Sequence, residues 1–216
     1  MIRLTAFQWV PPLAQGLVKD LRVRWALEEA GLAYEEKLLG LHDKDSPAYR
    51  AMQPFGQVPV YEEEGLTLFE TGAIVMHIGE RCPALLPSDP ARRARARTWM
   101  FAALNSVEPD VQNLATIDLF HANEEWARAR RPGVENQLLS RLAGLTASLA
   151  GRDYLEGEFT AGDLLMVTVL RLLRHTRLVA DNPVLAAYQA RGEARPAFRR
   201  ALEAQLAPFA QYAPAA

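Results

Sequence analysis

The chain has 216 residues, half of them hydrophobic, and a formal net charge of −2. That length suits one large domain or two small ones, and the charge balance gives no reason to expect nucleic acid or an anionic membrane as partner. The single cysteine, Cys82, excludes an internal disulfide framework. No apolar run approaches the ~20 residues of a membrane span, and Met1-Ile2-Arg3-Leu4 leads straight into a strand-like segment instead of a signal peptide, so a cytoplasmic protein is expected.

Ile2 to Phe7 reads as a first strand, and Gln8 to Lys19, QWVPPLAQGLVK, as a loop. Asp20 is placed to cap the next helix. Val23, Ala26, Leu27 and Ala30 carry its apolar spacing, and Gly31 is placed as its stop. Leu32 to Leu39 is a second strand, so the first forty residues form a βαβ unit with parallel strands and a right-handed crossover. After the loop and short helix of His42 to Met52 comes Pro54 to Glu80, PFGQVPVYEEEGLTLFETGAIVMHIGE. It reads as loop, strand, a polar turn over Glu62 to Gly65, a second strand from Leu66 to Phe69, and a helix opening at Glu70-Thr71.

Two details of that stretch point to a ligand. A proline at the head of a strand belongs at an edge or bulge, and a cis Val58–Pro59 bond would turn the Val58 N–H and C=O outward to pair with an extended peptide. The helix start at Glu70-Thr71 offers free N–H groups to an anion, and the Glu70 carboxylate beside it suits an ammonium. An α-amino acid end satisfies both.

Arg81 to Pro90, with its prolines, reads as a linker, and no strand signal follows it. Ala91 to about Phe120 is expected as one long helix bent near Pro109, and Pro132 is expected to start another. Arg92, Arg93, Arg95 and Arg97 are expected on a solvated face near a subunit contact. Thr160-Ala161-Gly162-Asp163 is a capping box ahead of the apolar run Leu164 to Leu173, which should be buried. Asn182-Pro183 and Arg195-Pro196 begin two further helices. The fold class is therefore α/β plus all-α: a thioredoxin-like βαβαββα domain over residues 1–81, a linker over 82–90 and an all-helical domain over 91–216.

PFGQVPV resembles the cis-proline loop of cytosolic glutathione S-transferases, and FETGAI resembles their Glu-Ser-x-Ala-Ile motif with Thr71 in place of serine. VRWALEEAGLAYE is similar to the family's first helix and second strand, and the capped buried helix also has a counterpart there. The resemblance implies that Glu70 and Thr71 hold the γ-glutamyl end of glutathione, that Val58 pairs with its cysteinyl unit beside Pro59, and that Gln57 and Lys44 meet its glycine carboxylate. It implies a homodimer, a small electrophilic or peroxide co-substrate, and no cofactor or metal beyond glutathione itself as co-substrate.

The family's thiolate donor is a tyrosine, serine or cysteine at or just after the first strand, and none of these lies between Met1 and Leu32. Leu17 stands where the serine-type enzymes have serine. Thr5, Trp9, the amides of Gln8 or Gln15 and backbone N–H groups at the first helix start remain as donors, so the catalytic group stays unassigned. The implied activity is a glutathione transferase. The alternatives are a binding or regulatory protein that kept the scaffold, and an isomerase, against which the missing serine motif speaks.

Overall fold

Residues 1–214 are described by the structure, a computed structural model. Its contacts form two units, one made of residues 1–85 together with the segment that begins at Arg195, the other of Leu86–Ala194.

In the first unit, β1 (Ile2–Phe7), β2 (Tyr34–Leu39), β3 (Tyr61–Glu63) and β4 (Leu66–Leu68) form one mixed sheet in the order β2-β1-β3-β4. β1 runs parallel to β2, with Ile2 opposite Tyr34 and Phe7 opposite Leu39, and antiparallel to β3, with Leu4 opposite Tyr61. Helix α1 (Asp20–Ala30) makes the crossover and α3 (Thr71–Gly79) follows β4, the two packing on each other. A short α2 (Pro47–Arg50) precedes β3. This is the thioredoxin-like order that the sequence implies.

Three local features depart from the sequence reading. Asp20 does not cap α1: it is the first helical residue, Lys19 occupies the cap position, and the Asp20 carboxylate instead accepts from Arg24 Nε at 2.6 Å and Gln205 Nε2 at 2.6 Å. Both Asp20 and Arg24 are buried, so removing either would leave the other as an uncompensated buried charge. The covering element is α9 (Pro196–Gln211), which packs on α1 through an edge-to-face Trp25–Phe198 contact and a double hydrogen bond from Arg195 to Glu29. Second, the hairpin turn is narrower than Glu62 to Gly65. Only Glu64 and Gly65 form it, at φ 49° and 86°, the left-handed pair whose twist suits a two-residue hairpin.

Third, Glu62 and Glu63 are therefore strand residues, and Glu63 is engaged. Arg81 Nη1 donates to it at 3.0 Å and the Tyr61 hydroxyl at 2.6 Å. These bonds hold the Glu63 carboxyl at about 2, below its ordinary 4.5, while burial first and Glu63 second push Tyr61 up to about 12 and keep it a donor. An acid depressed by folding adds stability that is complete above its unfolded value and is lost as pH falls through the folded one. Melting temperature should therefore fall between pH 4.5 and about 2 more steeply in the wild type than in Glu63→Gln. Parallel curves for the two proteins would remove this role.

The second unit is helical: α4 (Pro90–Phe101), a π-helical turn (Ala102–Val107), α5 (Glu108–Phe120), α6 (Glu125–Ser148), α7 (Ala161–Arg171) and α8 (Pro183–Glu193). The single helix expected over 91–120 is thus two helices around a π turn. Pro109 has no N–H and its ring crowds the carbonyl at Asn105, and widening the preceding turn relieves both. Pro132 does not start α6 but lies inside it. The bond it removes is that of the Arg128 carbonyl, on an exposed stretch open to solvent, and Arg131 beside it ties α6 to Asp118 of α5 and pairs with Glu135 one turn on in α6. The basic run of α4 is not simply solvated: Arg92 pairs with Glu158 at 2.5 Å and Arg95 with Glu156 at 2.6 Å.

The capping box forms as the sequence indicates. Asp163 accepts from the N–H groups of Thr160 and Leu155, each at 2.9 Å, and from the Tyr188 hydroxyl at 2.9 Å. Every residue of α7 from Ala161 to Leu170 is buried, and at Gly162 an added Cβ would stand 2.6 Å from the Trp99 Cβ, so glycine sets the approach of α7 to α4. No helix among the described residues is long and apolar enough to cross a membrane.

Candidate functional site

The site grows from the C-terminal end of β1. Phe7 and Val18 pack against the buried group of Leu39, Tyr49, Val58 and Val60, so the end of the first strand, the approach to α1 and the segment before β3 meet on one apolar floor. The Val58–Pro59 peptide is cis. Among the described residues, neither the Val58 N–H nor its C=O has a hydrogen-bond partner, whereas the Val60 carbonyl accepts from the Thr5 N–H at 2.9 Å.

Glu70 and Thr71 open α3. Glu70 sits at φ 68°, ψ 114°, a conformation costing of order 1–3 kcal/mol in a non-glycine residue, and its exposed carboxylate makes no cap to the helix. The first N–H groups of α3 are therefore left to a ligand. Thr71 is buried, and its hydroxyl oxygen accepts from Arg22 Nη1 at 3.4 Å, which leaves the hydroxyl hydrogen to donate elsewhere. The rings of Phe55 and Phe69 meet edge to face with centroids 6.2 Å apart. That contact brings the loop before Gln57 against the residue before Glu70, so residues 57–59 and 70–71 belong to one surface.

Gln57 is exposed beside Val58. Lys44 is tied to that loop only indirectly. Its Nζ donates to Asp45 Oδ2 at 2.7 Å, Asp45 also accepts from Arg50 Nη2 at 2.8 Å, and Arg50 Nη1 donates to the Pro54 carbonyl at 3.0 Å. The Arg50 guanidinium lies over Gly56, where a Cβ would stand 2.6 Å from Cζ, and Gly56 is left-handed at φ 62°. The left-handed φ favours glycine there, while the guanidinium, the end of a flexible side chain, could move aside from a Cβ. Sequence reading missed Arg22, Tyr49 and Arg50, and the one signal for Arg50 was the glycine of PFGQ.

The thiolate donors considered from the sequence separate clearly. Thr5 is fully buried, and its oxygen accepts from the Val60 N–H at 2.6 Å, so its hydroxyl serves the fold. Gln15 Nε2 donates to the Val10 carbonyl at 3.1 Å. The Trp9 indole N–H, the Gln8 side-chain amide and the Val18 backbone N–H have no hydrogen-bond partner among the described residues, whereas the Gln8 backbone N–H donates to the Leu39 carbonyl at 2.9 Å. Cys82 is buried with its Sγ 3.7 Å from the Glu29 carbonyl, and no grouping suited to a metal occurs among the described residues. A cavity of about 630 Å³ in the second unit is lined by residues that include Asp118, Arg131, Glu135, His175, Arg177 and Asp181. Its charges pair with one another, unlike the open groups of Val58 and Glu70.

The N-terminal domain model of the glutathione S-transferases matches residues 14–80. Glutathione S-transferase 4 of Zea mays is 31% identical over 205 residues, which cover 89% of this chain and 90% of that protein. The chain belongs to the glutathione S-transferase family. A maleylacetoacetate isomerase of Pseudomonas aeruginosa is 38% identical over 112 residues, covering 49% of this chain and 51% of its own length. Among solved structures, a theta class glutathione S-transferase of Xanthomonas axonopodis pv. citri with glutathione bound is 29% identical, with a TM-score of 0.77 over 93% of this chain and 96% of that one.

Proposed function

We propose that this family member binds glutathione and uses its thiolate to attack an electrophile or to reduce a peroxide or disulfide. The observation that carries the reading is the pairing of an unengaged carboxylate at Glu70 with an uncapped helix start at Thr71, on one surface with the free main-chain edge of Val58. Glu70 takes the γ-glutamyl ammonium. The Thr71 hydroxyl and the first amides of α3 take the α-carboxylate. Val58 pairs with the cysteinyl main chain beside Pro59, and Gln57 and Lys44 meet the glycine carboxylate. The thiol then lies toward the segment between β1 and α1. There a donor lowers its pKa from about 8.5, and the thiolate forms the S–C bond as a leaving group departs with its electron pair.

Calorimetry of the wild type with glutathione tests the reading, and absence of binding ends it. A panel of thiol addition, peroxide reduction, disulfide reduction and isomerisation then separates the reactions. The partial likeness to an isomerase keeps the last of these in the panel. Glutathione binding with no turnover in any assay favours a binding or regulatory protein, the reading supported by the absence of tyrosine, serine and cysteine before Ala33. We further infer a homodimer working in the cytoplasm, on the family resemblance and the exposed Phe55 beside the site. Sedimentation is expected to give twice the chain mass, and a species of 24.0 kDa overturns the dimer.

A further inference from the structure

We propose that Tyr49 and Thr5 are positioning residues which hold the Val58 main-chain edge in the pitch that an extended peptide ligand requires. The inference rests on the glutathione reading and adds to it two residues that touch no ligand. The Tyr49 hydroxyl donates to the Gln57 carbonyl at 2.7 Å and stands 3.2 Å from Thr5 Oγ1. Thr5 Oγ1 accepts from the Val60 N–H at 2.6 Å, and the Thr5 N–H donates to the Val60 carbonyl at 2.9 Å. One continuous chain of bonds thus ties the main chain on both sides of Val58, while the N–H and C=O of Val58 itself are left open among the described residues.

The physical case for a clamp is that burial of the Val58 and Val60 side chains fixes the depth of the segment but not the pitch of its main chain. Gln57 to Val60 precedes the first paired residue of β3, so no sheet ladder runs through Val58. An added strand needs its two acceptor and donor groups at fixed spacing, and a few tenths of an ångström at either end spoils both bonds. Tyr49 and Thr5 are 3% and 0% exposed, so water does not replace the bonds when one partner is removed. Burial also pushes the Tyr49 hydroxyl above its ordinary value, which keeps it a donor throughout the neutral range.

Tyr49→Phe, Thr5→Val and the hydroxyl-keeping control Thr5→Ser test the clamp. Glutathione is compared with glutamate γ-ethyl ester, a probe that keeps the γ-glutamyl end and has neither the N–H nor the C=O of the cysteinyl unit. Tyr49→Phe and Thr5→Val are expected to raise the Kd for glutathione about five- to tenfold, the loss of one good hydrogen bond. The probe's affinity should hold, kcat should change less than twofold by the same arithmetic, and Thr5→Ser should behave as the wild type. Amide exchange over residues 57–60 should speed up in Tyr49→Phe. Unchanged exchange there, or equal weakening of both ligands, overturns the clamp. Failure of the wild type to bind glutathione counts against the glutathione reading, and the exchange measurement still decides whether the clamp exists.

Discussion

Glu70→Ala is expected to weaken glutathione binding by more than tenfold while leaving the fold intact. Its carboxylate is exposed, caps nothing and has no partner among the described residues, so its removal deprives no protein group of a bond. In the complex the same carboxylate would meet an ammonium, a charge-assisted bond of about 1.5–3 kcal/mol, and 1.4 kcal/mol is tenfold in affinity. Glu70→Gln keeps shape and loses charge, and should fall nearly as far. The left-handed φ of 68° is unchanged by either replacement, so both proteins should melt close to the wild type. Calorimetry with glutathione and a melting curve for each variant suffice. An alanine variant that binds within threefold of the wild type would remove Glu70 from the site.

The largest effect on stability is expected at Asp163. Its carboxylate is fully buried and receives the Thr160 and Leu155 N–H groups and the Thr160 and Tyr188 hydroxyls. Alanine would strand these donors away from water, and each buried donor left unpaired costs about 1–3 kcal/mol. A total of about 4 kcal/mol is a large share of the stability of most domains. Thr160→Ala removes the cap acceptor for the Gly162 N–H and one hydroxyl donor to Asp163, leaves the two N–H donors and Tyr188 in place, and should cost about 1 kcal/mol. Urea titrations at one protein concentration measure both. Equal losses for the two variants would mean that the cap, and not the junction of three elements at Asp163, sets the stability of α7.

These two residues were legible for the same reason. Capping boxes, helix starts and turn prolines are local patterns, and Thr160 to Asp163, Glu70-Thr71 and Val58-Pro59 each act through neighbours in sequence. The βαβ unit was legible through apolar spacing and Gly31. What stayed hidden was long-range or competitive. Thr5 and Tyr49 meet although 44 positions separate them in sequence, and no pattern near either announces it. Asp20 looks like a cap because aspartate favours caps, and only the arrival of Gln205 explains why it starts the helix buried. Pro132 carries a strong preference for a helix start, but the apolar positions around it outweigh one missing bond. Three successive glutamates hide a two-residue turn, because charge says solvent while the left-handed pair Glu64-Gly65 says where the chain reverses.

The contact between α1 and α9 bears on how the molecule is made. Trp25, Asp20 and Glu29 lie in the first unit, yet their partners Phe198, Gln205 and Arg195 are synthesised after the whole of the second. A ribosome that has released the thioredoxin-like sheet and α3 has not yet released the helix that covers α1. The nascent first unit must therefore wait, with a charged pair and a tryptophan uncovered, while the whole helical unit emerges. Helix α1 is encoded early but covered late.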